Sequence, residues 1–154
     1  MAKPVVEIRE KITRYCVYQE RSWREVNDKL AELDCPEWAK EELCAFLITE
    51  GYVNEERFCR IFVRSKFHQL SWGKLKIRFE LKKHQVSAAN LKIALAEEIP
   101  EDENFETAQK VAKKKLALLS KKNSFEQKNS LYQFLQQKGY EQEVISSVLA
   151  ELFP

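Results

Sequence analysis

Residues 77–95 read IRFELKKHQVSAANLKIAL, and residues 131–149 read LYQFLQQKGYEQEVISSVL. Apolar side chains occupy the same five positions in both stretches: Ile77, Leu81, Val86, Leu91 and Leu95 in the first, and Leu131, Leu135, Tyr140, Ile145 and Leu149 in the second. A spacing of four residues places side chains on one face of a helix. Each stretch therefore predicts two helices joined by a short turn.

The same pattern recurs near the N-terminus. Val26 and Leu30, followed by Leu43 and Leu47, repeat it with about three extra residues next to Pro36, where an insertion lengthens a turn. A further amphipathic helix precedes each copy, over residues 7–21, 55–67 and 103–119. A period near 50 residues indicates tandem units. We expect three tandem three-helix units that form an elongated, curved rod, with boundaries at residues 1–53, 54–99 and 100–154.

The composition favours an all-α fold. The 154 residues include only three glycines and four prolines, and sheets need turn residues at every corner. Helix-start signals agree with this class: Ser22 and Glu25 form a capping box, residues 124–127 repeat it, and Pro36 suits the first position of a helix. The acidic residues between 97 and 106 predict a solvated linker and a negatively charged helix start.

Several function classes are disfavoured. The four cysteines form no C-x-x-C pair, so they are expected to be small apolar fillers in a reducing compartment, with no metal or cofactor bound. The chain has two histidines and neither a nucleotide-binding glycine loop nor a nucleophile elbow, so we expect no enzyme. No window approaches the roughly 20 apolar residues of a membrane span. We therefore expect a cytoplasmic protein without membrane contact.

Charge is concentrated in the middle of the chain. The net charge is only +2, yet residues 57–83 hold nine basic side chains and a single acid, Glu80. Helical spacing predicts two ridges: an arginine ridge (Arg57, Arg60 and Arg64) and a second ridge (Lys74, Arg78 and Lys82). We expect no acids within them to form ion pairs, so an anionic partner is the favoured interpretation and a merely solvated basic face the alternative.

The candidate binding residues extend beyond the ridges. The full set is Arg21, Arg24, Arg57, Arg60, Arg64, Lys66, Lys74, Lys76, Arg78, Lys82 and Lys83. A secondary basic patch, which is in part the polar face of an amphipathic helix, consists of Lys110, Lys113, Lys114 and Lys115. Five aromatic residues interleave with the main set and could stack on bases: Phe58, Phe62, Phe67, Trp72 and Phe79. A core position is favoured for Phe58 and Phe62, and the exposure of Trp72 stays open.

Three segments resemble the RecX regulators of the bacterial RecA recombinase. They are QERS at 19–22, EGYVNEERF at 50–58 and FVRS at 62–65, the second being similar to the family pattern G-Y-[LI]-[DN]-D-x-R-F. The chain departs from the family at residues 54–56, where an aspartate pair is commoner, and at 84–86, where K-G-[IV] is usual. The resemblance implies a small regulator that lies in the groove of the RecA–single-stranded-DNA filament and inhibits ATP hydrolysis and strand exchange. Separately, we expect the chain to be a monomer.

Two other classes stay open. A three-helix unit can be a helix-turn-helix reader of duplex DNA, but the third helix of such a unit is then basic, and residues 87–97 contain only Lys92. A purely structural scaffold is the other alternative, which loss of binding after charge reversal would exclude. For naked DNA, single- or double-stranded, we expect weak and sequence-independent binding that falls steeply as salt rises.

Overall fold

A computed structural model describes residues 4–154, and this part of the chain folds into nine α-helices without a strand. The helices are α1 (Val5–Tyr18), α2 (Trp23–Glu32), α3 (Glu37–Thr49), α4 (Glu55–Leu70), α5 (Lys74–Lys82), α6 (Ala88–Glu98), α7 (Glu101–Ala117), α8 (Ser124–Lys138) and α9 (Gln142–Leu152). The predicted all-α class is confirmed. We refer to α1–α3, α4–α6 and α7–α9 as the first, second and third unit.

Each unit encloses a hydrophobic core of its own. Ile12, Leu30 and Leu47 are fully or almost fully buried in the first unit, as are Ile77 in the second and Leu131 in the third. All five repeated apolar positions are buried in the third unit, and all but half-buried Val86 are buried in the second. The apolar positions that repeat along the sequence therefore line the core of each unit.

The cysteines pack as apolar fillers. Cys16 and Cys59 are buried in the first and second cores, and Cys35 and Cys44 pack half-buried against the first. Burial raises the pKa of the Cys16 and Cys59 thiols to about 11. Because the thiolate is the nucleophile, both side chains are poorly reactive at neutral pH.

Of three predicted helix-start signals, the structure contains one as predicted and differs at the other two. The capping box at Ser22 is present, since the Ser22 hydroxyl accepts the Glu25 N–H at 3.2 Å and the Glu25 carboxylate accepts the Ser22 N–H at 3.0 Å. The predicted repeat at Ser124 is wrong: Asn123 caps α8 and accepts the Glu126 N–H at 2.9 Å. Asparagine is a strong capping residue one position earlier, so Ser124 joins the helix. Likewise Pro36 is the N-cap of α3 and not its first residue.

The prediction of a solvated acidic linker between the second and third units is also wrong. Helix α6 continues to Glu98 and α7 begins at Glu101, so Ile99 and Pro100 alone connect them. Ile99 is fully buried in the second core, which holds the connection against the unit. The acidic first turn of α7 is as expected and suits the positive end of a helix dipole.

Backbone contacts join the second and third units. The Gly73 N–H donates to the Lys138 carbonyl at 2.8 Å, and the Leu75 N–H donates to the Gly139 carbonyl at 2.9 Å. The buried Tyr140 hydroxyl donates to the Ser71 carbonyl at 2.7 Å. A Cβ atom on Gly73 would lie 2.5 Å from the Tyr140 nitrogen, so the two backbones meet where a side chain has no room.

Polar side chains join the first and second units. The Ser22 Oγ lies 2.9 Å from His84 Nδ1, and Arg24, a candidate binding residue, donates to the carbonyl of Lys83.

The accessible surface of the chain is 9680 Å². A compact monomer of this mass exposes roughly 8,100 Å², so the excess agrees with an elongated arrangement of units.

Candidate anion-binding surface

The arginine ridge on α4 is paired with acids. Arg60 contacts Glu56 at 3.2 Å and Glu97 at 2.5 Å, and Arg64 contacts both Glu98 oxygens at 3.0 and 3.1 Å. The expectation that this ridge lacks acidic partners is wrong. Glu56 precedes Arg60 by one helical turn and was visible in the sequence, whereas the other two acids come from the end of α6 and meet α4 only in the fold.

Titration of the paired groups follows from these contacts. The hydrogen bond from Arg64 holds the pKa of Glu98 below its ordinary value, against the opposing effect of partial burial. Hydrogen bonds to Glu97 and Glu98 raise the already high pKa of Arg60 and Arg64 respectively. The ridge therefore ties α6 to α4 and offers an outside ligand little uncompensated charge.

Two further candidate arginines also make internal contacts. Arg57 donates to Glu20 at 2.5 Å and to the Gly51 carbonyl at 2.9 Å, which links the first unit to the second. Arg21 is only 9% exposed, because its guanidinium lies 3.6 Å from the centre of the Tyr15 ring and donates to the Tyr15 carbonyl. The structure thus places both side chains in local packing.

The second ridge lies open beside α6. Lys74, Arg78 and Lys82 line one side of a groove of about 540 Å³, and Lys92 lines the other. Two acids, Glu101 and Glu141, also contribute to the lining. We call these four residues the cation groove. Lys74 pairs with Glu101 at 2.8 Å, whereas the other three are exposed and make no ion pair within residues 4–154. Positive charge is therefore available here.

Lys92 lines the groove but is absent from the set of candidate binding residues read from the sequence. Arg78 lies seven residues before Gln85, and Lys92 lies seven residues after it. A helical hairpin brings two positions close together when they are equally far from its turn. Gln85 has φ +58, the left-handed conformation that turns α5 back into α6, at a position where the RecX pattern usually has glycine. The equal spacing of Arg78 and Lys92 about Gln85 is the feature of the sequence from which Lys92 could have been predicted to lie beside the α5 ridge.

The remaining cations near α5 contact aromatic rings. Lys76 Nζ lies 4.5 Å and Lys66 Nζ 5.3 Å from the centre of the half-buried Trp72 ring. Lys83 Nζ lies 4.8 Å from the Phe79 ring. Of the five aromatic residues considered for base stacking, Phe58 and Phe67 are buried, Phe62 and Trp72 are half-buried, and Phe79 is 63% exposed. Phe79 is therefore the most accessible of these five rings.

The secondary basic patch lies along α7. Lys110, Lys113 and Lys114 are exposed, and Lys115 is half-buried with its Nζ 5.1 Å from the Phe134 ring. Ala108 and Ala112, on the same helix, are fully buried and mark its core face. The patch is the polar face of an amphipathic helix, and binding there stays a prediction.

Two family models match this chain. One describes the second three-helix domain of RecX and matches residues 54–95, and the other describes the third three-helix domain and matches residues 101–149. The matches together cover more than half of the residues. This chain belongs to the RecX family. The resemblance read from residues 50–58 is confirmed.

Relatives and solved structures agree with this assignment. The Regulatory protein RecX of Oceanobacillus iheyensis is 32% identical over 88% of this chain and 49% of its own length, and that of Clostridium perfringens is 34% identical over 84% and 60%. The chain thus spans about half to three fifths of the length of these curated relatives. The crystal structure of RecX from Lactobacillus salivarius, 24% identical, covers 96% of both chains with a TM-score of 0.87, which shows a common fold.

Within residues 4–154, no helix combines the length and the apolar character needed to cross a bilayer.

Proposed function

We propose that this RecX-family chain binds along the groove of a RecA filament and inhibits ATP hydrolysis and strand exchange, with the cation groove facing an anionic ligand. The observation that supports this orientation is the contrast on the second unit. Arg78, Lys82 and Lys92 have no ion-pair partner among the described residues, whereas the arginine ridge is paired with glutamates. Uncompensated cations attract an anionic partner and steer its approach.

The arrangement of the units suits a helical filament. Three small cores in series form an elongated body that can touch several filament subunits at once, which raises the effective concentration of each later contact. In this proposal the chain performs no covalent chemistry, since occupancy of the groove is sufficient to hinder strand exchange. RecA as the partner follows from the family resemblance, and the anionic contact follows from the exposed cations.

The test is the single-stranded-DNA-dependent ATPase of the cognate RecA, titrated with this protein. We expect the wild type to inhibit and the double variant Arg78→Glu/Lys82→Glu to need at least about tenfold more protein for the same inhibition. The control Lys121→Glu/Lys128→Glu changes the net charge equally at exposed positions outside the cation groove. Equal inhibition by both variants would contradict the assigned surface, and no inhibition by the wild type would contradict the function.

The helix-turn-helix alternative receives little support from charge. The third helix of each unit carries few basic residues, namely Lys40 in α3, Lys92 in α6 and none in α9. Competition binding against random duplex at physiological salt tests this alternative. A strong preference for one duplex sequence would favour a reader, since such proteins bind their site typically 10³-fold or more above competitor.

A further inference from the structure

Phe79 occupies a position that packing within this chain does not explain. Helix α5 buries Ile77 and Leu81, whereas Phe79 is 63% exposed and Leu75, one turn earlier on the same face, is 45% exposed. Helical geometry places this apolar pair on the side of α5 that faces away from the core. The ring therefore contributes little to the second core and is available to a ligand.

Cations flank the ring on both sides. At 100° per residue, Arg78 and Lys82 lie on one side of Phe79 around the α5 axis, and Lys83 and Lys76 lie on the other. Lys83 Nζ is 4.8 Å from the ring centre. Glu80, the acid within α5, is engaged by Lys83 at 3.2 Å. The face thus combines an exposed aromatic surface with excess positive charge.

We propose that Phe79 is a stacking platform for one base of a single-stranded nucleic acid, with Arg78 and Lys82 contacting the adjacent phosphates. This inference rests on the proposed function and names the ligand class at the same surface. An aromatic ring beside cations fits a flexible strand, because such a strand offers unpaired bases and phosphates together. A duplex keeps its bases stacked inside, and an acidic protein surface would use the cations without the ring.

Charge also argues against an apolar protein partner as the occupant. Covering Phe79 with an apolar surface would bury the neighbouring Arg78 and Lys82 without partners, and desolvating unpaired charges is costly. A phosphate backbone supplies those partners directly. Charge complementarity on this face therefore favours a nucleic acid strand.

The experiment measures binding of the full chain to a fluorescent oligothymidylate and to an abasic oligomer of the same length. We expect Phe79→Ala to weaken binding of the oligothymidylate about 5- to 100-fold and to leave abasic binding unchanged, because stacking needs the base. Phe79→Trp should keep the affinity, since indole also stacks. Phe125→Ala is the matched control, because Phe125 is 74% exposed in the third unit. Unchanged thermal midpoints verify that the exposed substitutions leave the fold intact.

Each outcome bears on the proposal. Wild-type affinity of Phe79→Ala for the oligothymidylate would overturn it, and so would an equal loss for both oligomers, which would indicate a defect unrelated to stacking. Loss of RecA inhibition by Phe79→Ala with unchanged DNA affinity would also overturn it and assign the ring to a protein contact. Failure of the proposed function looks different: the wild type would leave the RecA ATPase unaffected while base-dependent binding through Phe79 persisted.

Discussion

The arginine ridge on α4 and the basic ridge on α5 have similar helical spacing, yet only the second leaves most of its charge uncompensated. Arg60 and Arg64 contact Glu97 and Glu98 of α6, whereas Arg78 and Lys82 face an open groove with Lys92. Both ridges belong to one unit and pack against the same helix, α6. The difference teaches that helical spacing alone does not show whether a basic stripe is paired with acids from another helix.

The largest expected effect is a loss of stability at Gly139, whose backbone packs against α5, the helix that carries the second basic ridge. Gly139 has φ +95, and a Cβ atom there would lie 2.5 Å from the Lys76 nitrogen at the start of α5. We expect Gly139→Ala to destabilise the protein by about 2 kcal/mol or more, because left-handed strain and steric overlap add. Thermal unfolding measures the loss.

Gly51→Ala is the matched control for the glycine substitution. Gly51 has φ +74, but a Cβ atom there meets nothing within 4 Å. This variant should lose only the conformational part, about 1 kcal/mol. Equal losses in the two variants would mean that the close approach of α5 to Gly139 does not matter.

The second prediction compares the ridges by their salt dependence. We expect Arg78→Ala/Lys82→Ala to reduce the slope of log affinity for single-stranded DNA against log salt by about 1.4, since each phosphate contact contributes about 0.7. Arg60→Ala/Arg64→Ala should leave the slope unchanged and lower the thermal midpoint, because it removes contacts to Glu97 and Glu98. A larger slope change from the α4 variant would reverse our assignment.

The third prediction tests the structural role of the arginine ridge. Arg64 lowers the pKa of Glu98, so the folded chain holds the ionised carboxylate more strongly than the unfolded chain does. This stabilisation is present above the ordinary carboxyl pKa of 4.5 and is lost as the pH falls through the lower folded value.

Glu98→Gln should therefore cost at most about 1 kcal/mol at neutral pH, and its difference from the wild type should shrink in acid. Chemical denaturation at several pH values measures it. Glu106→Gln, at an exposed position of α7, serves as the control. A constant difference across the acid range would show that the charge of Glu98 is not responsible.

The smallest effect concerns the junction of the first and second units. Burial lowers the pKa of His84, which contacts Ser22 and the rings of Phe58 and Phe62, and the Glu25 carboxylate opposes this shift. As the pH falls below the ordinary value of 6.5, the unfolded chain takes up the proton first, so stability decreases.

Thermal midpoints between pH 5 and pH 8 should reveal this dependence in the wild type and a weaker one in His84→Gln. His68→Gln removes an exposed histidine near the end of α4 and should behave as the wild type does. If the wild type and His84→Gln show the same pH dependence, the titrating group lies elsewhere.

Local sequence determined the helices and their buried faces. The apolar spacing from Leu131 to Leu149 placed all five core positions of the third unit correctly, because period and burial are properties of one helical hairpin. Charge spacing placed Arg78 and Lys82 on one exposed face for the same reason. Helix ends were less certain, as Asn123 shows, because neighbouring residues compete for the same capping position.

The tertiary structure alone decided which charges are available. Glu98 reaches Arg64 across 34 residues of sequence, and Arg21 stacks on Tyr15 in a contact that no periodicity encodes. Whether Phe79 is exposed likewise depends on which neighbours pack against α5. The physical reason is that periodicity reports the orientation of a side chain about its own helix, whereas its electrostatic partner depends on which other helix packs beside it.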